Sequence, residues 1–357
     1  MHPKKHINGA VAGIGFTLLF LLSGCNLNAP RARMGTLPTP PPGPRFLNPD
    51  NLGAHSYYFN PFEKNGIVYA CKAGHLDVTH IRWNADWTKY VAEKTYSTLM
   101  KKGDGFSYNL QLEVSSHIVS FDYPDNWDTL SQQEKEKIAH EISLHVGPYV
   151  AFNTTLWHEI LTWFGVHFFG FEEEFNSAFT WEDLYSNALG VKLAVEAMKN
   201  NALDYDSALT LALEQKLERL GIQPRSTAVQ AAEKMRGQWF EGYLFVDTFR
   251  KNMDTGLDDG IISPVLVPGI CQNPEAEPIQ VPDIDILAKY GFSMEYKILP
   301  REWEKGKFLK IVYPDKKGKY IYPEKHFPIL MEYIKKQAVE KYGYILEEPD
   351  TAQSENN

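Results

Sequence analysis

The N-terminal apolar run limits the possible folds of this chain more than any other feature. Exposing such a run to water is unfavourable, so the run is either removed from the mature protein or buried. Residues 10–22 are mostly apolar, follow the basic pair Lys4 and Lys5, and end in small residues before Cys25. That order is typical of a secretory signal peptide. An uncleaved transmembrane anchor is the alternative, but two glycines and a threonine interrupt the run, which is shorter than the roughly 20 apolar residues that span a bilayer. We predict a signal peptide over residues 1–24.

The end of this run, Leu22-Ser23-Gly24-Cys25, is similar to the lipobox of bacterial lipoproteins. In those proteins the cysteine thiol is lipidated and the chain is cut before it, so the resemblance implies that Cys25 is the acylated N-terminus. Lipoproteins with aspartate after the cysteine tend to stay in the inner membrane. Here Asn26 follows, so the resemblance implies an outer-membrane lipoprotein facing the periplasm, with the membrane as its partner through the lipid.

Charge and composition limit the other partners. The formal net charge is −9 and the sequence has no basic cluster, which argues against a nucleic-acid partner and against electrostatic adhesion to anionic lipid. The 20 Phe, 19 Tyr and 8 Trp residues favour a folded domain over a disordered spacer. The remaining partners to expect are an envelope protein or peptidoglycan.

Four segments follow from these patterns. Residues 1–24 are the signal, 25–54 a lipidated cysteine with a proline-rich tether, 55–346 a single globular domain, and 347–357 a polar, disordered tail. The domain is predicted to be α+β, with a helix-rich core and short peripheral strands. Its predicted elements include a helix capped by Asp77, a helix from Ser131 that ends at Gly147-Pro148, a separate helix over 149–164, and a strand over 309–313.

Two cysteines remain once Cys25 carries lipid. Two spare cysteines in an oxidising periplasm commonly form a disulfide, so a bond between Cys71 and Cys271 is the first possibility. A free Cys71 near a helix N-terminus would instead suit a nucleophile, because that position lowers the pKa of a thiol. Two inert, buried cysteines are the third possibility.

The most apolar predicted helix contains His158 and Glu159. An ionised carboxylate buried without partners costs several kcal/mol, so this pair must bond neighbours, hold a metal or face a cavity. The pair begins the zinc motif H-E-x-x-H, but Thr162 stands where the second histidine should be. The sequence therefore argues against a standard zinc protease, whereas zinc held with ligands from other helices remains open.

The further ligands would come from two other helices. His80 shares a helix face with Asp77, and Glu182 lies in a polar stretch that also carries Asp183. We therefore predict His80, His158 and Glu182 as metal ligands, with Glu159 or Cys71 as the catalytic group. The alternative is structural: Asp183 caps a helix and His80 is a core histidine.

Three segments, 66–86, 157–165 and 177–190, resemble a family of predicted bacterial lipoproteins known as domain of unknown function 4056. The resemblance implies one domain and an envelope location, and it supplies no catalytic residues. Two functions stay open. The first is a binding or structural component of the envelope. The second is a hydrolase, metal-dependent or thiol-dependent, that acts on an envelope substrate.

Overall fold

The computed structural model describes residues 29–33, 35, 39, 46–111, 113–165, 177–242, 246–315 and 317–342. The predicted signal peptide, Cys25 and the predicted tail lie outside these residues. Within the described ranges, no helix is long and apolar enough to cross a membrane.

Helices form the centre of the domain, where α1 packs against both α2 and α3. The described helices are α1 Val78–Met100, α2 Gln132–Trp163, α3 Asp183–Lys199, α4 Tyr205–Arg219, α5 Arg225–Lys234, α6 Ile286–Lys289, α7 Lys305–Val312 and α8 Pro323–Tyr342.

The strands are short and lie around these helices, which confirms the predicted α+β class. They are β1 Ile67–Ala70, β2 Gly74–Asp77, β3 Gly105–Tyr108, β4 Ser116–Asp122, β5 Phe240–Glu241, β6 Asp247–Thr248, β7 Ile261–Ile262, β8 Ile279–Gln280 and β9 Ser293–Leu299. Strands β3, β4 and β9 form an antiparallel sheet, and the others pair as β1-β2, β5-β6 and β7-β8.

The starts of the first two long helices follow local sequence signals. The side chain of Asp77 accepts a hydrogen bond from the Thr79 amide at 2.7 Å, which caps α1. Ser131 and Glu134 form a reciprocal capping box at the start of α2. Both pairs satisfy amide groups that have no partner inside the helix.

Two predicted elements are wrong. The helix from Ser131 does not end at Gly147-Pro148, because α2 continues to Trp163 with Pro148 inside it. Proline in a helix costs about 3 kcal/mol, and burial of almost the whole second half of α2 outweighs that cost. The predicted strand over 309–313 is instead part of α7, where Phe308 and Val312 are one turn apart and both buried.

The described parts of the predicted tether contact the domain. Phe46, Leu47 and Leu52 are buried in the core. Arg33, only eight residues after Cys25, is 8 % exposed and bonds Asp86 of α1. The chain is therefore held against the domain well before residue 55.

Glycine lets α1 and α3 approach closely. A Cβ atom at Gly190 of α3 would overlap the backbone oxygen of Ile81 on α1 and lie 2.9 Å from the Cβ of Asn84. Backbone cannot move aside as a flexible side chain can, so the helices would have to separate.

We expect Gly190→Ala to lower the free energy of unfolding by about 1–3 kcal/mol through this overlap, despite the better helix propensity of alanine. Denaturant unfolding measures the change. Gly306→Ala is the matched control, because Gly306 lies in α7 with nothing within 4 Å of the added methyl group. If Gly190→Ala and Gly306→Ala had the same free energy of unfolding, the proposed close contact between α1 and α3 would be contradicted.

Candidate functional site

His80 lies on α1 between two carboxylates. Its Nδ1 atom is 3.0 Å from Oδ1 of Asp183 at the start of α3 and 3.9 Å from Oδ2 of Asp77, the cap of α1. Burial opposes protonation of the ring, but the two carboxylates outweigh it and raise the pKa of His80 to about 10. His80 is therefore an imidazolium at neutral pH, with 15 % of its side chain exposed.

His158 on α2 has a similar arrangement. Its Nδ1 atom lies 2.7 Å from Oε1 of the buried Glu113, and 25 % of its side chain is exposed. Burial again opposes protonation, while the hydrogen bond and charge of Glu113 raise the pKa of His158. The carboxylate fixes which ring nitrogen points inward and so orients the ring.

The indole ring of Trp83 lies between the two histidines. Its centroid is 6.5 Å from that of His80 and 5.5 Å from that of His158, and Trp83 is partly exposed. We call these three residues the histidine–tryptophan face. The structure thus brings together two of the predicted ligands, His80 and His158, around an aromatic ring.

Glu159 points into the interior behind this face. It is 4 % exposed, and its Oε2 atom accepts a hydrogen bond from the Phe179 amide at 2.8 Å. Burial raises the pKa of Glu159 to about 7, and the charge of Asp183 adds to the increase. Phe179 has a φ of +55°, a conformation that non-glycine residues seldom adopt, so the turn that meets Glu159 is held by its surroundings.

Lys251 is a further buried charge near these carboxylates. It is 2 % exposed, and its Nζ atom donates to Oγ1 of Thr248 at 3.1 Å. Burial lowers the pKa of Lys251 to about 7, while Asp183 and Glu159 act in the opposite direction. The cluster therefore holds two groups, Lys251 and Glu159, that exchange protons near neutral pH.

Glu182 contributes to the turn that begins α3. Its Oε1 atom accepts from Oγ1 of Thr180 at 2.9 Å, and Oδ2 of Asp183 accepts from the Thr180 amide at 2.8 Å. Burial raises the pKa of Glu182 well above its usual value, and the charge of Asp183 adds to the increase. Asp183 therefore bonds the turn before α3, whereas the N-cap residue of the helix is Glu182, whose side chain makes no cap hydrogen bond.

The predicted zinc ligands have separate partners. His80 contacts Asp183, His158 contacts Glu113, and Glu182 bonds a threonine hydroxyl. Across the described ranges, no group of three or more His, Cys, Asp or Glu side chains is arranged to hold a metal ion.

Cys71 does not carry a free thiol. Its sulfur is bonded to that of Cys271, with the two Cα atoms 5.7 Å apart. A disulfide sulfur is not a thiolate, so the hypothesis that Cys71 is the catalytic nucleophile is wrong. Of the three possibilities considered for Cys71 and Cys271, the structure shows the disulfide bond.

Three site residues were not predicted from the sequence. Glu113 lies in a connection between strands, and Lys251 lies in a polar stretch. Trp83 is one of several apolar residues in its helix and has no distinguishing pattern around it. Nothing in their local sequence distinguishes them. Glu113 bonds His158, 45 residues away, and the carboxylates of Asp183 and Glu159 that act on Lys251 are also distant from it in the sequence.

Fold and site together define a helix-rich α+β domain with two carboxylate-held histidines on one face. A family model described as "Protein of unknown function (DUF4056)" matches residues 46–247. This match covers more than half of the 357 residues, and the chain belongs to that family. No curated protein and no solved structure matches the chain.

Proposed function

We propose that this chain is a lipid-anchored protein of the bacterial cell envelope that binds peptidoglycan through its histidine–tryptophan face. The lipobox-like residues before Cys25 support the anchor. The disulfide between Cys71 and Cys271 supports an oxidising compartment outside the cytoplasm, where such bonds persist. In that compartment peptidoglycan is the abundant polymer.

One observation carries the binding proposal: two partly exposed histidines are each held by a buried carboxylate on either side of Trp83. The fold holds both rings with carboxylates at positions that water can reach, where solvent alone could have satisfied their nitrogen atoms. An aromatic ring flanked by two oriented imidazole rings is the composition of a site for a polar ligand with an apolar face, such as a sugar ring. Because the imidazole rings are already oriented, binding orders few side chains.

A hydrolase is the second candidate, and Glu159 favours it. A general base works best with a pKa near the operating pH, and burial raises the pKa of Glu159 to about 7. His80 and His158 both interact electrostatically with this carboxyl group. In this reading Glu159 accepts a proton from water, and the imidazolium of His80 stabilises the negative charge that develops on the substrate.

The test is co-sedimentation of the purified protein with isolated peptidoglycan sacculi. We expect Trp83→Ala to weaken binding at least about tenfold, because a central aromatic contact commonly contributes that much. Trp303→Ala is the matched control, since Trp303 is 99 % exposed. Equal loss in both variants, or no binding by the parent protein, would overturn the proposal.

The same sacculi distinguish binding from hydrolysis. Release of soluble fragments by the parent protein, with loss of release but retained binding in Glu159→Gln, would support the hydrolase. Binding without release supports the binding protein. Denaturant unfolding of each variant checks that the fold is intact.

A further inference from the structure

A loop with three exposed aromatic side chains lies beside the start of the domain. Tyr58 is 62 % exposed, Phe59 80 % and Phe62 77 %. We call residues 57–62 the aromatic loop. The segment contains no charged residue. Exposure of Phe59 and Phe62 in one short loop is unfavourable in water and marks a contact surface.

Both ends of the aromatic loop are held firmly. At its start the Tyr57 amide donates to Oδ1 of Asp206 at 3.0 Å. Just after its end the buried carboxylate of Glu63 accepts from the Ser56 amide at 2.9 Å and lies 3.6 Å from Nη1 of Arg82. The exposed rings therefore stand on a rigid base.

The N-terminal segment brings the predicted lipid close to this loop. Nη2 of Arg31 lies 2.7 Å from Oε1 of Glu63, the residue directly after Phe62. Cys25 precedes Arg31 by six residues, which span at most about 20 Å when fully extended. Acyl chains on Cys25 would thus enter the bilayer within about 20 Å of the Arg31 backbone, and the side chain of Arg31 reaches Glu63 at the base of the aromatic loop.

We propose that the aromatic loop inserts Phe59 and Phe62 into the interfacial region of the phospholipid bilayer that holds the lipid anchor. The inference rests on the proposed lipidation of Cys25, because the short connection to Arg31 is what places the loop at the membrane. Aromatic side chains favour the membrane interface, and stable attachment commonly combines a lipid with a second contact. The aromatic loop would supply this second contact through apolar rings, because it contains no charged residue.

The test uses the mature chain with Cys25→Ser, so that only the protein surface can bind lipid. Binding is measured by sedimentation with sucrose-loaded vesicles of phosphatidylethanolamine and phosphatidylglycerol at millimolar lipid. We expect this chain to bind, and the added changes Phe59→Ser and Phe62→Ser to reduce the partition coefficient at least about tenfold, since burying a phenylalanine side chain contributes that much or more.

Ile329→Ser with Val339→Ser is the matched control, because both residues are exposed apolar positions on α8. Equal loss in the control pair, or absence of binding by the Cys25→Ser chain, would overturn the inference. Labelling of the full native chain with radioactive palmitate separately tests the anchor. A chain that is not labelled removes the proposed anchor, whereas the vesicle assay reports on the aromatic loop alone.

Discussion

Replacing Cys271 with serine is expected to lower the free energy of unfolding by about 4–5 kcal/mol. The disulfide to Cys71 closes a loop across a sequence separation of 200 residues. Such a crosslink restricts the unfolded chain strongly, because it removes the entropy of a very long loop. It also joins the family-matched region, which contains Cys71, to the C-terminal part of the chain, which contains Cys271.

Guanidinium unfolding with and without a reducing agent measures this effect. The reductant should destabilise the parent protein and leave the Cys271→Ser variant unchanged. In that variant Cys71 should react with a thiol reagent once the protein unfolds. An unfolding midpoint of the parent that is identical with and without reductant would contradict the disulfide.

Local signals explain which parts of the fold were predictable. The Asp77 cap and the Ser131–Glu134 capping box involve residues two or three positions apart, so the sequence reveals them directly. The pairing of β4 with β9 does not follow from local pattern, because Ser116 lies opposite Leu299. The continuation of α2 through Pro148 also depends on burial supplied by distant elements.

The candidate site also combines features that the local sequence predicts with features that depend on distant residues. The cost of polar residues in an apolar helix predicts His158 and Glu159 as candidates, whereas His80 follows from a helix face shared with Asp77 and Glu182 from a polar stretch. The structure places all four near the packing of α1, α2 and α3. Their individual partners could not be predicted. Asp183 lies 103 residues after His80, and Glu113 comes from a connection with no motif. Residue type therefore indicates candidate residues, whereas tertiary packing determines their bonds.

Replacing Glu63 with glutamine is expected to lower the free energy of unfolding at neutral pH by about 3–5 kcal/mol. Glu63 has no exposed side-chain surface and lies among the guanidinium groups of Arg31, Arg33 and Arg82. Removing the charge of one partner leaves buried cations without compensation, which is the costly way to break a buried ion pair. Denaturant unfolding measures the change. Asp128→Asn is the control, because Asp128 pairs with Lys102 at the surface and should show no measurable change.

The stability should also depend on pH through Glu63. Burial acts to raise the pKa of this carboxyl group, but Arg33 and Arg82 overcome it and lower the pKa from 4.5 to about 2. Because the folded state binds the proton less tightly than the unfolded state, the contribution is complete above about pH 4.5 and is lost as the pH falls towards 2. The parent protein should lose about 3 kcal/mol over this range, and Glu63→Gln should lack that part of the decline.

Glu63 also connects the N-terminal segment to the aromatic loop. Since the carboxylate holds Arg31 and Arg33 against the domain, Glu63→Gln should release the N-terminal segment and speed trypsin cleavage after these two arginines. Under the proposed lipidation of Cys25, release would lengthen the connection from Cys25 to the first fixed residue and would leave the aromatic loop less confined near the bilayer. Cleavage at the parental rate in Glu63→Gln would show that Asp86, which also bonds Arg33, is sufficient to hold the segment.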